Sequence, residues 1–100
     1  MVIAEVSVIP IGIKTTSVSE YVAKAIKAIG QQDKVKYQLT AMGTILEGEL
    51  DEVLDVVTKM HESVFDREIS RVITSIKIDD RRDKKLTMDY KVQSVIKKLQ

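Results

Sequence analysis

From Val2 to Pro10 apolar and polar residues alternate with a period of two, which predicts a β-strand. Ala4, Val6 and Val8 share one face of it, and Ile3, Glu5, Ser7 and Ile9 share the other. Pro10 and Gly12 end the strand, and Thr15-Thr16-Ser17 reads as a polar loop. The period then lengthens. Val22, Ala25, Ile26 and Ile29 recur at i, i+3, i+4 and i+7, the apolar stripe of a helix. Ser17-Val18-Ser19-Glu20 fits a capping box at its start, and Gly30 supplies a stop at its end. Val35 to Leu39 and Thr44 to Glu47 read as two strands joined at Met42-Gly43, where glycine accepts positive φ without steric cost. A second helix follows, with Leu50, Val53, Leu54, Val57, His61 and Val64 on one face and Asp51, Glu52 and Asp55 near its start. Arg71 to Asp79 alternates again: Val72, Thr74, Ile76 and Ile78 face one side, and Arg71, Ile73, Ser75 and Lys77 the other. Thr87 caps a last helix carrying Met88, Val92, Val95, Ile96 and Leu99.

This order is β-α-β-β-α-β and then a helix. It predicts an α+β, ferredoxin-like βαββαβ sandwich with an extra C-terminal helix. The first two helices cover one sheet face. The other face then carries Ile3, Glu5, Ser7 and Ile9 beside Arg71, Ile73, Ser75 and Lys77, with Glu5 able to pair with Lys77 or Arg71. A solvated face has little use for those isoleucines, and a buried face none for the charges. The mixture predicts a partner surface, most simply a second copy of the chain packed sheet to sheet.

Composition narrows the classes. The chain has 100 residues, a length that suggests one domain. Sixteen Lys and Arg against 15 acids leave a formal net charge of +1, so the balance makes no case for a nucleic-acid or anionic-membrane partner. No cysteine is present, which removes disulfides, thiolate metal sites and cysteine nucleophiles and agrees with a reducing, cytoplasmic setting. The alternating N-terminus, with Glu5 and Pro10, reads as neither a signal peptide nor a membrane span.

Catalytic machinery is hard to find. His61 is the sole histidine, set in a helix stripe, and reads as a packed or boundary residue; a zinc site needs further ligands at fixed spacing. No nucleophile elbow, dinucleotide fingerprint or Walker loop occurs. Asp79, Asp80 and Asp83 interleave with Arg81, Arg82, Lys84 and Lys85, the pattern of a solvated, self-compensating loop. The remaining candidates gather around the hairpin: Tyr37, Thr40, Met42, Thr44 and Glu47, each of which also has an ordinary structural explanation. On the residues alone the chain is an oligomeric ferredoxin-like domain with no visible catalytic site.

Val8-Ile9-Pro10-Ile11-Gly12 and Ser17-Val18-Ser19-Glu20-Tyr21-Val22-Ala23, followed by Met42-Gly43-Thr44-Ile45-Leu46-Glu47-Gly48, resemble the YkoF-like thiamine-binding protein family, long an uncharacterised conserved family. The likeness continues through His61-Glu62, Arg71 to Ile78, Arg82-Asp83-Lys84, Thr87, Lys91-Val92 and Ser94-Val95. It implies a single ferredoxin-like domain over residues 1–100, sheet-to-sheet dimers often assembled into tetramers, and binding of thiamine or its pyrimidine part without catalysis. No other cofactor and no metal are implied. Under that resemblance Ser7 and Ile9 form a floor, and Tyr37 offers a π face to the thiazolium cation. Thr40 and Thr44 are expected to bond the ring edge, Met42 to make a soft contact, and Glu47 either to accept from the amino group or to lie near the cation. Arg71, Arg82 and Lys84 are the candidates for a phosphate. Ile13 and Ile45 stand where members of the family often carry threonine. Two other readings stay open: a structural or regulatory oligomer, and a small enzyme acting on a thiamine-pathway heterocycle.

Overall fold

A computed structural model describes residues 1–100. The elements follow in the order β1 (Val2–Pro10), α1 (Ser19–Ile29), β2 (Lys36–Leu39), β3 (Thr44–Gly48), α2 (Leu50–Val64), β4 (Val72–Asp79) and α3 (Met88–Lys98). The strands form one antiparallel sheet in the order β2-β3-β1-β4, the expected ferredoxin-like arrangement. Register fixes the faces. Val6 opposes Thr44, Ala4 opposes Leu46 and Val2 opposes Gly48, so the even-numbered residues of β1 and β3 share the side covered by helices. Val2, Ala4, Val6 and Leu46 are buried there against Ala25 and Ile29 of α1 and Val53, Val57 and Met60 of α2.

Several local expectations change. The Ser17 capping box does not form. Val18 occupies the cap position without a side-chain bond, and the Ser17 and Ser19 hydroxyls bond each other at 3.1 Å instead. Gly43 does not take positive φ, which occurs only at Gly12; its role is a close approach, described below. On α2 the buried stripe is Val53, Val56, Val57, Met60 and Val64, while Leu54 is exposed. That helix packs on α1 as well as on the sheet, which turns Val56 and Met60 inward and Leu54 out. Ile76 and Ile78 remain exposed although they point toward the helix side, because β4 is an edge strand and α2 barely reaches it. Lys77 stands directly opposite Glu5, but no ion pair closes between Glu5 and either Lys77 or Arg71.

The last helix is capped as expected, the Thr87 hydroxyl accepting from the Tyr90 amide at 3.1 Å. None of its residues is buried. It is tethered near its root, by buried Leu86, by an ion pair from Lys91 to Asp79, by a bond from the Met88 amide to Glu47 and by Lys84 on Tyr90. An 11-residue helix without tertiary packing is marginal in water. The apolar stripe of α3 and the open sheet face are therefore both left without cover in the single chain.

Candidate functional site

The sheet is uneven, and the unevenness makes a cleft. Strand β1 runs for nine residues and β3 for five. Their ladder ends at Val6 and Thr44, so the far end of β1 has no neighbour on that side. The loop Thr40–Gly43 curls over the gap, the N-terminal half of α1 closes one wall with Val18 and Val22, and Met60 of α2 lies beneath. The space is about 140 Å3, and most of its lining residues are apolar. A more open groove of about 720 Å3 adjoins it along α1, sharing Val18, Val22 and Leu39 to Ala41.

The loop is built by Thr40. Its amide and its hydroxyl both donate to the Gly43 carbonyl at 2.8 Å, and the hydroxyl accepts from the Gly43 amide at 3.1 Å. Gly43 presses the loop onto β1: a Cβ there would lie 2.8 Å from the Val6 carbonyl oxygen. Only a residue without a side chain allows that approach. Thr44 follows, 3% exposed on the helix side of the sheet. Its hydroxyl makes no hydrogen bond within the protein and is not sealed off, so it opens onto the cleft.

Ser7, Thr40, Met42 and Thr44 therefore come together at this cleft. Ser7 borders it through its backbone, since alternation puts its side chain on the open face. Met42 sits at the rim, 85% exposed. Ile9, Tyr37 and Glu47 do not join them. Ile9 lies on the open face opposite Ile73. Tyr37 is on β2 opposite Leu46, half-exposed at the sheet edge and away from the cleft. Glu47 is three residues from Thr44, and an odd spacing along a strand puts two side chains on opposite faces. Ile45 is on that opposite face as well, so the hydroxyl missing there is not missing from the cleft.

Glu47 is 5% exposed and already engaged: its Oε1 accepts from the Met88 amide at 3.0 Å. A carboxylate at the first turn of α3 satisfies a free donor and complements the helix dipole. Glu47→Ala is expected to loosen α3 and cost about 1 kcal/mol in a thermal melt. Glu47→Gln is expected to leave ligand affinity unchanged, where a direct ligand contact would weaken it.

The three phosphate candidates are split: Arg82 and Lys84 line one open pocket of about 420 Å3, and Arg71 lies apart from them. Arg71 is at the Pro10 end of the sheet, where its carbonyl accepts from the Ile11 amide at 2.9 Å. Arg82 and Lys84 lie beyond the other end of β4, whose eight residues span roughly 26 Å. Arg82 bonds Asp80 at 2.8 Å and Arg81 bonds Asp83 at 2.6 Å, and these hydrogen bonds hold both carboxyls below the ordinary aspartate range. Lys84 bonds the Tyr90 hydroxyl at 3.2 Å and lowers its pKa. The two arginines of the basic run are thus paired within it, as its alternation predicts, whereas Lys84 and Lys85 form no ion pair. His61 bonds Thr74 through Nδ1 at 2.7 Å and meets the Phe65 ring edge-on at 5.3 Å, the expected boundary role.

Val18, Val22 and Met60 also line the cleft, beyond the residues that the hairpin pattern singles out. A signal for it exists in the sequence: the first strand pattern is about twice as long as the third, so one must outrun the other.

The family model described as thiamine-binding protein matches residues 4–96. The chain belongs to this family. It is 50% identical over 103 residues to the UPF0045 protein YqgV of Bacillus subtilis, covering 100% of this chain and 99% of that one. It is 46% identical to the UPF0045 protein MJ1052 of Methanocaldococcus jannaschii, whose crystal structure matches with a TM-score of 0.84 over 94% of each chain. A Thermotoga maritima protein, TM0486, described as a proposed thiamine biosynthesis or salvage protein, shares the fold at 23% identity, with a TM-score of 0.76 over 94% of this chain and 97% of that one. The family match and these relatives bear out the resemblance and the fold. No helix of the chain is long and apolar enough to cross a membrane.

Proposed function

We propose that the cleft between α1 and the hairpin loop binds thiamine through its aminopyrimidine ring, with the second ring lying in the open groove beside α1. This reading rests on the Thr44 hydroxyl: the residue is 3% exposed, yet its hydroxyl lacks a protein partner and opens onto a mostly apolar space. At about 140 Å3 that space is well below the ~300–1,000 Å3 of a pocket for a drug-sized ligand and suits a single ring. Membership of a family described as thiamine-binding supports the aminopyrimidine as that ring.

Binding here is non-catalytic, in a carrier, store or sensor acting in the cytoplasm, and needs no additional cofactor. No Asp, Glu, His, Lys or Arg lines the cleft, which leaves general acid–base chemistry without a side chain to run it. Calorimetric titration tests the reading. Thiamine should bind with measurable heat, and Thr44→Val should weaken it by about 0.5–1.5 kcal/mol, the net worth of a neutral hydrogen bond. No heat at millimolar thiamine, its phosphates or hydroxymethylpyrimidine contradicts it.

The protein acts as a homo-oligomer, two copies packing open sheet face to open sheet face and the dimers pairing into tetramers. Support comes from exposed Ile9 and Ile73 on the sheet and from exposed Val92, Val95 and Leu99 on α3. Sedimentation at micromolar concentration should give a mass well above the 11.3 kDa of one chain, and a well-behaved monomer contradicts the arrangement.

A further inference from the structure

The backbone of β1 carries a recognition element that no side chain reveals. Odd-numbered residues of β1 direct their amide and carbonyl toward β4, a phase fixed by the Ile11 amide bonding the Arg71 carbonyl at 2.9 Å. Even-numbered residues therefore point toward β3, as the approach of the Val6 carbonyl to Gly43 confirms. Thr44 opposite Val6 is the last partner on that side. Val8 points the same way, two residues further on, where β3 has ended. The loop that replaces β3 bonds to itself through Thr40 and Gly43, and no loop or side-chain hydrogen bond reaches Val8. Val8 is partly buried, and its N–H and C=O are left side by side, without a protein partner, in the wall of a mostly apolar cleft.

We propose that these two groups read the edge of the bound heterocycle. The Val8 N–H donates to a ring nitrogen, and the Val8 C=O accepts from the amino group on the adjacent carbon. The ligand class is a flat heteroaromatic ring with an exocyclic amine beside a ring nitrogen, the pattern of a 4-aminopyrimidine. Such an edge supplies one donor and one acceptor side by side, as the missing strand residue would have done. A peptide strand does not fit this role. The next inward-pointing position is Pro10, which has no N–H, so the free edge ends after one residue. The inference rests on the proposed thiamine site and adds to it the contact that sets ring orientation.

The test is a titration of 15N-labelled protein with thiamine and, separately, with its 4-oxo analogue, in which donor and acceptor trade places. Thiamine is expected to shift the Val8 amide resonance and slow its hydrogen exchange. The 4-oxo analogue should bind at least about tenfold more weakly, because it leaves both backbone groups mismatched or forces the ring to flip. If thiamine binds while the Val8 amide is unmoved, or if both compounds bind alike, the inference is overturned and the thiamine site stands. If neither binds, the site and the inference fall together.

Discussion

Leu46→Ala is expected to lower the unfolding free energy by about 2–5 kcal/mol, the cost of a cavity at a fully enclosed leucine. Leu46 has no exposed surface and lies in β3, an internal strand, opposite Ala4 and Tyr37 on the helix-covered face. Ala4 is too small to close the space, and the strands on either side are held by their ladders. A domain of this size has only about 5–15 kcal/mol of stability in all, so the loss is a large share of it. Urea titration should show a lower midpoint with an unchanged slope. A shift of a few tenths of a kcal/mol would mean that the helix layer is not packed on β3 as described.

The second large effect is expected at Gly43. Gly43→Ala puts a methyl group 2.8 Å from the Val6 carbonyl oxygen, and both sides of that contact are backbone. Neither can rotate away, so the loop must lift from β1. Overpacking of this kind costs about 1–3 kcal/mol. The functional loss should be larger than the stability loss, because the loop is one wall of the cleft and carries Thr40 and Met42. Calorimetry on folded Gly43→Ala at low temperature separates the two: thiamine binding should be lost while circular dichroism remains near native. Retained affinity would place the ligand elsewhere.

The sequence patterns carry most of the fold because alternation and helical stripes each report one buried face. Val2–Pro10 and Arg71–Asp79 emerge as strands within a residue of their limits, and Thr87 caps the last helix as its position predicts. Patterns fail where burial depends on two neighbours at once. Leu54 and Met60 exchange roles on α2 because α1 packs beside it, which a single-helix stripe does not encode. The site is legible in part for a similar reason. Thr40, Met42 and Thr44 cluster because they are close in sequence around one turn. Glu47 is equally close but emerges on the opposite face, and its true partner, the Met88 amide, is 41 residues away. The strand parity that separates Thr44 from Glu47 is itself readable from their spacing. The Val8 edge is not, because it depends on where β3 stops and on how the loop bonds to itself.

The family description supports a thiamine ligand, and the proposed site lies on one of two faces. Glu47 and Ile9 belong to the open sheet face, whereas Thr44 and the Val8 backbone belong to the cleft under α1. The most direct measurement is a crystal structure of the protein grown with thiamine. The aminopyrimidine ring is expected in the cleft, within hydrogen-bond distance of the Thr44 hydroxyl and flanked by Val18, Val22 and Met60. A ring on the open sheet face against Glu47 and Ile9, or beside Arg82 and Lys84, would contradict it.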